Sequence, residues 1–388
     1  MARLAGIAVA LIAVVALLAV VGWPASNYRH NDFAGFWVGS RMLLNGADPY
    51  EFEGFLAMHR SIGSRGLAIN PPGTAYGYPL TAALVFAPFA LLPVEIAAPL
   101  WLVTQVTLAA IALLLLCRAL FSRTFKRDAF VLFGLGAASQ PAWLLAAGGN
   151  LGGYLLAITA ASTAFLLSAR PFVAGAIAGL LIVKPHPLLA ALVIIALALP
   201  RRDALRALAG AAATGGTILL VTLALRPGWI GEFLLPFTRI AGASVPRSTL
   251  FGLLGPDLRP LAVLIALALV AAAVVWSMLR RPDLALVIAV AVPVSLFVIP
   301  YGWSYDHLVL LVSVAVLLAL VADVAPPRRT AMLVALAMVL VPLTWTLFTI
   351  AFERGNEALT AIVPLAILGL IAVALRMRET PYRAERAH

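Results

Sequence analysis

Long apolar segments alternate with short polar ones along almost the whole chain. The apolar segments lie at 3–22, 79–92, 95–117, 128–147, 151–168, 171–183, 186–199, 205–225, 260–279, 282–299, 305–323, 329–351 and 357–376. A helix needs about 20 apolar residues to cross a bilayer, and most of these segments approach that length. The pattern predicts an all-α polytopic membrane protein with about ten full transmembrane helices.

Three of these segments, 79–92, 171–183 and 186–199, are too short to cross a bilayer as straight helices. Short apolar helices at membrane depth are tolerated where they are buried in protein or line a watery cavity. We therefore expect short broken or re-entrant helices beside the full spans. Gln140-Pro141 predicts a further break within 128–147.

Composition agrees with this class. The chain has 388 residues, of which 63% are hydrophobic and 11% charged, whereas soluble chains are about 25% charged. Its net charge of +11 comes from basic residues in short loops, which indicates membrane topology and not nucleic-acid binding. The one cysteine, Cys117, excludes an intrachain disulfide and a thiol metal site.

The basic loops predict the orientation, because Lys and Arg favour the cytoplasmic side. Arginines mark 118–127, 201–206, 280–281, 328–329 and the tail 377–388 as cytoplasmic. The first loop 24–78, the second loop 226–259, the short loops 300–305 and 352–357, and the apex 184–187 then face outward. We expect one integral membrane domain over 1–388 in the plasma (inner) membrane, with any chemistry on the periplasmic or extracytoplasmic side. Segment 3–22 reads as a retained first helix. The apolar residues of the second loop predict an interfacial helix: Trp229, Phe233, Leu234 and Phe237.

The first loop concentrates ionisable residues in an otherwise apolar chain. Its residues 31–50 read NDFAGFWVGSRMLLNGADPY, which predicts an amphipathic helix that begins near Asp32 and ends at Asn45-Gly46. Asp32 is a candidate catalytic base at the membrane boundary, and the alternative is that it only caps the helix. Asp48-Pro49-Tyr50 predicts a turn.

Two further motifs carry polar groups into apolar surroundings. Lys184-Pro185-His186-Pro187 contains one of only two lysines, and charges inside the membrane are functional candidates by default. Lys184 and His186 could bind an anion such as a phosphate, or Lys184 could extend to the interface beside a packed histidine.

In the second motif, Tyr301-Gly302-Trp303-Ser304-Tyr305-Asp306-His307, the aromatic rings suit sugars. Tyr305, Asp306 and His307 could bind hydroxyls or a phosphate, although interfacial anchoring explains the aromatic residues equally well. Arg41 is a further candidate cation for a phosphate.

Taken in order, these motifs resemble glycosyltransferase family 87. The set comprises Asp32, Gly46-Ala47-Asp48-Pro49-Tyr50, Tyr76-Gly77-Tyr78-Pro79, Lys184-Pro185-His186-Pro187 and Ser304-Tyr305-Asp306-His307. The resemblance implies a GT-C-like fold and a polyprenyl-phosphate sugar donor. It makes Asp32 the general base and relates Lys184 and His307 to the donor phosphate or sugar. The chain departs from the family at Gly148-Gly149-Asn150, where Gly-Gln is common, and it has no acidic DxD pair in the first loop. A divalent metal is possible but unsupported, and no cofactor is assigned.

The resulting hypothesis is an inverting glycosyltransferase. It would move a sugar, most simply mannose, from a polyprenyl-phosphate donor to a glycolipid or cell-envelope glycan acceptor. A polyprenyl-phosphate-arabinose-dependent arabinofuranosyltransferase is one alternative. A transporter or flippase of lipid-linked saccharides is another, because transporters also use broken helices, and a non-catalytic membrane scaffold is the third.

Overall fold

The computed structural model describes residues 32–64, 75–121, 125–234 and 247–385. Within these ranges every regular element is a helix. The predicted first helix, 3–22, lies outside the described residues. The chain divides into two compact units, and each is treated by itself below: the first comprises Met1–Thr107, Trp143–Leu151 and Thr222–Ile240, and the second Leu108–Ala142, Gly152–Val221 and Ala241–His388.

The first unit is built around aromatic packing between two short helices. Its helical segments in the described ranges are Asp32–Leu44, Phe52–Ser61, Leu80–Ala90, the first part of Val94–Leu120, most of Gln140–Gly148, the end of Thr217–Leu225 and residues 229–234. The Asp32–Leu44 helix ends where the sequence predicts, and Gly46 follows it with a positive φ of 70°. Phe36 of this helix stacks on Phe86 with ring centroids 4.8 Å apart.

The prediction that Asp32–Leu44 is amphipathic was wrong. The five consecutive residues 36–40 are all buried, so no side of the helix middle is left polar and exposed. Burial on every side follows from its neighbours: Phe36 also lies 4.6 Å from Tyr78 between ring centroids, and the Trp37 indole N–H donates to the Leu92 carbonyl at 3.0 Å. The helix is therefore part of the core of its unit.

The second loop is described only in part. Residues 229–234 are helical, with Trp229 buried and Leu234 47% exposed, so the interfacial helix stays a prediction. Phe233 belongs to the same helical stretch, and the residues from 235 to 246 lie outside the described ranges. After them come a short helix, Leu250–Leu254, and the start of a long one at Arg259.

The second unit contains most of the apolar helices. They are the end of Val94–Leu120, then Phe125–Ala138, the start of Gln140–Gly148, Gly152–Leu167, Pro171–Ala178, Leu189–Ala198, Arg201–Ala211, Thr217–Leu225 up to residue 221, Leu250–Leu254, Arg259–Arg280, Leu284–Val298, Leu311–Leu320, Pro326–Met338, Thr344–Arg354 and Ile362–Glu385. Leu284–Val298 and Leu311–Leu320 are buried over almost their whole length and form the centre of the unit. Helices that are apolar all round are typical of such central positions.

Five helices in the described ranges are long and apolar enough to cross a membrane: Val94–Leu120, Arg201–Leu225, Arg259–Arg280, Pro326–Arg354 and Ala358–Arg378. Shorter apolar helices accompany them, including the three predicted to be short. The predicted spans 151–168, 282–299 and 305–323 are helical but shorter than expected, at Gly152–Leu167, Leu284–Val298 and Ser304–Leu320. The helical membrane class is thus established, while the count of about ten spans stays a prediction.

Candidate functional site in the second unit

Lys184 lies where the helical backbone is interrupted between two apolar helices. The Pro171–Ala178 helix continues as a 3-10 helix over Gly179–Val183, and Lys184 ends it. Pro185 and Pro187 follow, and proline lacks the N–H that would continue a helix. A second 3-10 turn, His186–Leu188, leads into the next helix. The break predicted from the prolines is therefore present.

The structure brings Lys184, Tyr305 and Asp306 into direct contact. Together with their close sequence neighbours His186 and His307 we call them the Lys184 cluster. The Lys184 ammonium lies 2.7 Å from Asp306 Oδ1, and the two side chains are 2% and 1% exposed. It also lies 3.5 Å from the Tyr305 hydroxyl and 4.6 Å from the centre of the Tyr305 ring. The cation that the sequence assigns to an anion thus already has an internal carboxylate partner.

Asp306 also holds the loop from which it comes. It lies in the first turn of the 3-10 helix Ser304–Leu310, and its Oδ2 accepts the Trp303 backbone N–H at 3.3 Å. One carboxylate oxygen therefore faces Lys184 while the other caps the helix. This double use fixes the carboxylate and, through it, the position of the ammonium.

His307 belongs to a buried chain of hydroxyl contacts. Its Nε2 lies 3.0 Å from Ser248 Oγ, which in turn lies 2.5 Å from Thr360 Oγ1. The Ser248 N–H donates to the Gly302 carbonyl at 2.9 Å. Three segments that are distant in sequence are thereby connected around His307.

A partly buried carboxylate that the sequence reasoning missed lies beside this loop. Glu357 Oε2 accepts the Ser304 backbone N–H at 2.8 Å. Burial raises the pKa of Glu357, although the hydrogen bond from the Ser304 N–H acts in the opposite direction. The only sequence signal was a polar group, Gly355-Asn356-Glu357, directly before an apolar helix.

Two further contacts near the loop involve an aromatic residue and a buried arginine. His186 lies 5.7 Å from Tyr301 between ring centroids. Arg247 is 7% exposed, and its Nη1 donates to the Pro300 carbonyl at 3.2 Å. Burial lowers the pKa of Arg247. The neighbourhood of the Lys184 cluster therefore contains a second buried cation, which the sequence reasoning had not singled out.

Predicted site residues of the first unit

Asp32 and Arg41 belong to the first unit. Asp32 is partly exposed and lies in the first turn of its helix, where the backbone N–H groups favour a carboxylate. Arg41 Nη1 donates to the Ala90 carbonyl at 2.7 Å, and its guanidinium lies 5.7 Å from the centre of the Trp37 ring. These contacts give Arg41 a structural task at the end of the Leu80–Ala90 helix, and its phosphate role stays a prediction.

The Asp48 turn forms as predicted but has an additional partner. Asp48 Oδ1 accepts the Tyr50 N–H at 2.8 Å, and the Tyr50 hydroxyl donates to the Tyr78 carbonyl at 2.8 Å. Asp48 Oδ2 also lies 2.5 Å from Arg226, which pairs with Glu232 at 2.6 Å. The hydrogen bond with Glu232 is the main cause of the raised pKa of Arg226. Sequence reasoning missed this pairing between distant segments.

The Gly148-Gly149-Asn150 turn is held by hydrogen bonds within the first unit. Trp101 Nε1 donates to the Gly149 carbonyl at 3.1 Å, and Gln105 Nε2 donates to the Asn150 carbonyl at 2.8 Å. Gly149 has a φ of 58°, which favours glycine. These contacts are typical of a turn that ends one helix and precedes the next. Across the described part of the chain, no three His, Cys, Asp or Glu side chains are grouped as potential metal ligands.

Comparison with known proteins gives one match. A model of glycosyltransferase family 87 matches residues 76–300, which is more than half of the chain. The matched range includes Lys184 and His186, whereas Asp32, Asp306 and His307 lie outside it. No curated protein and no solved structure matches the chain significantly.

Proposed function

Because the chain belongs to glycosyltransferase family 87, we propose that it transfers mannose from a polyprenyl-phosphate donor to a glycolipid or cell-envelope glycan. Glycosyl transfer itself follows from the family. We further propose the identity of the donor, the sugar and the acceptor. We also propose about ten spans in the plasma membrane, with the reaction on the outward side.

The observation that carries the proposal is the buried Lys184–Asp306 pair at a break between apolar helices. A polyprenyl-phosphate donor joins a charged phosphate to an apolar tail, so it needs a cation next to an apolar surface. An ammonium has three N–H donors and can bind Asp306 and a phosphate oxygen at the same time. Tyr305 offers an aromatic face for a sugar beside it.

An apolar stripe begins directly after this break. Leu189, Val193 and Leu197 follow one another at helical spacing along Leu189–Ala198 and are 57%, 44% and 55% exposed. Residues four apart share one face of a helix. The stripe fits an isoprenoid tail whose phosphate reaches Lys184, and it supports a lipid-linked donor over a nucleotide sugar.

The proposed chemistry is a single displacement. The acceptor hydroxyl oxygen attacks the anomeric carbon, the bond from that carbon to the phosphate oxygen breaks, and polyprenyl phosphate leaves. Asp32 takes the proton of the acceptor hydroxyl. Lys184 and His307 stabilise the negative charge of the departing phosphate. Because one displacement occurs, the anomeric configuration is inverted.

The test uses the purified full-length protein in lipid nanodiscs. Radiolabelled polyprenyl-phosphate mannose and a glycolipid acceptor are supplied to the wild type, Asp32→Asn and Glu53→Gln. Glu53 is an exposed carboxyl group of the same unit and serves as the control. We expect Asp32→Asn to lower kcat by about 10²–10⁴-fold, the usual contribution of a general base, while Glu53→Gln keeps wild-type kcat.

Each part of the proposal can fail separately. Wild-type transfer by Asp32→Asn would remove Asp32 as the base. Transfer only from polyprenyl-phosphate arabinose would mean that the transferred sugar is arabinose and not mannose. Absence of transfer from every polyprenyl-phosphate sugar would reject the donor class.

A further inference from the structure

We propose that Glu357 is a positioning residue for the Lys184 cluster: its carboxylate fixes the start of the Ser304–Leu310 helix and thereby the placement of Asp306 and His307. The functional part of this inference rests on the proposed glycosyl transfer. Glu357 lies after the range that the family model matches, and no motif of the sequence contains it.

Glu357 holds the backbone at the start of the Ser304–Leu310 helix. Ser304 is the first residue of the 3-10 helix that carries Asp306 and His307. The first N–H groups of a helix have no partner within the helix and need one from outside. Glu357 supplies it at 2.8 Å to the Ser304 N–H, while Asp306 itself caps the Trp303 N–H.

The segment that carries Glu357 is itself connected to His307. The 3-10 turn Ala358–Ala361 follows Glu357 directly, and Thr360 Oγ1 donates to the Glu357 carbonyl at 2.6 Å. Thr360 also contacts Ser248 Oγ, whose partner is His307 Nε2. Residues 357–360 therefore hold the functional loop at Ser304 and, through Ser248, at His307.

The consequence is a precise position for the Lys184 ammonium. Asp306 lies two residues after Ser304 and accepts Lys184 at 2.7 Å. A shift at the start of the helix would move the carboxylate and the ammonium together. Misplacement of catalytic groups by about 1 Å can cost about 10²-fold in rate.

The experiment compares Glu357→Ala and Glu357→Gln with Glu353→Ala and Glu353→Gln. Glu353 is an exposed carboxyl group one turn earlier in the chain. We expect Glu357→Ala to lower kcat by about 10–100-fold with little change in the acceptor KM. Glu357→Gln should stay within about three-fold of the wild type, because an amide oxygen still accepts the Ser304 N–H. Neither Glu353 variant should change kcat.

A second readout does not depend on the reaction. Hydrogen exchange of the peptide that contains residues 301–310 should be faster in Glu357→Ala than in the wild type and unchanged in Glu353→Ala. Unchanged exchange in folded Glu357→Ala would overturn the positioning role even in an active enzyme. A Glu357→Gln variant as slow as Glu357→Ala would also overturn it, since the charge and not the hydrogen bond would then matter. If the wild type shows no transfer but the exchange differs, the proposed function fails and the positioning of the loop by Glu357 stands.

Discussion

Lys184 and Asp306 form an ion pair whose two side chains are almost completely buried. Such a pair contributes little net stability, but loss of one partner leaves an unpaired buried charge at a cost of about 3–5 kcal/mol. We expect Lys184→Met and Asp306→Asn to lower the thermal unfolding midpoint strongly, whereas Lys184→Met/Asp306→Asn recovers most of the loss. The double variant should still fail to transfer sugar. A stable and active double variant would show that the pair only supports the fold.

His59 provides a pH-dependent contribution to stability. It is 3% exposed, its Nδ1 lies 3.0 Å from Ser64 Oγ, and burial lowers its pKa from 6.5 to about 4. The unfolded chain therefore binds a proton that the folded chain does not, and stability falls as the pH drops from about 6.5 to about 4. The full shift corresponds to about 3 kcal/mol.

The measurement compares chemical unfolding of the wild type and His59→Asn at about pH 7 and pH 4.5, within the range where this shift acts. The wild type should lose more stability on acidification than the variant. Equal losses in the two proteins would mean that His59 is not the titrating group.

Lys184 could be recognised from the sequence, and its supporting residues could not. Lys184 is one of only two lysines and directly precedes a proline in an apolar segment, where a charge is costly. Ser248 and Thr360 carry no comparable signal, because hydroxyl side chains are tolerated throughout apolar helices. Their contact joins residues 112 positions apart, so it arises only from the tertiary packing.

At the scale of helices, breaks were easier to predict than burial. Proline removes a backbone N–H that a helix needs, and the breaks predicted at Gln140-Pro141 and Lys184–Pro187 are present. Proline alone is not sufficient, since Pro99 and Pro293 lie inside continuous helices. The amphipathic prediction for Asp32–Leu44 failed because Gly39 and Ser40 read as polar positions. Both are buried, and a side chain at Gly39 would meet the Tyr76 ring. The neighbour that buries this face is remote in sequence.

Glycines control a close crossing of two helices in the second unit. A Cβ at Gly175 would meet the Ala207 carbonyl oxygen, and one at Gly210 would meet the Phe172 carbonyl oxygen. Backbone atoms cannot move aside as the end of a side chain can. We expect Gly175→Ala to destabilise the protein by about 1–3 kcal/mol, the usual cost of overpacking, as measured by the unfolding midpoint in detergent.

Gly134→Ala is the matched control for this crossing. Gly134 is also helical, and a Cβ there has open space within 4 Å. This substitution should be neutral or stabilise by about 0.5–1 kcal/mol, because alanine loses less conformational freedom than glycine. Equal effects of the two substitutions would contradict the close crossing.

At the scale of the whole chain, loops that the sequence assigns to one side meet within the second unit. Arg329 Nη2 lies 2.6 Å from Asp128 Oδ1, joining two loops predicted to be cytoplasmic. Ser304 and Glu357 join two loops predicted to face outward. The loops that are in contact are therefore the same loops that the distribution of arginines assigns to one side of the membrane.

The sidedness of these two groups can be measured with single cysteines. In a Cys117→Ala background, Glu353→Cys and Asp283→Cys place thiols at exposed positions near two turns of the second unit. Arg280-Arg281 marks the turn that contains position 283 as cytoplasmic. A membrane-impermeant maleimide should therefore label position 353 in intact cells and position 283 only after permeabilisation. The reverse labelling would put the Tyr301–His307 loop on the cytoplasmic side, since Ser304 is hydrogen-bonded to Glu357. An outward-facing reaction would then be excluded, because the Lys184 cluster would share the side of that loop.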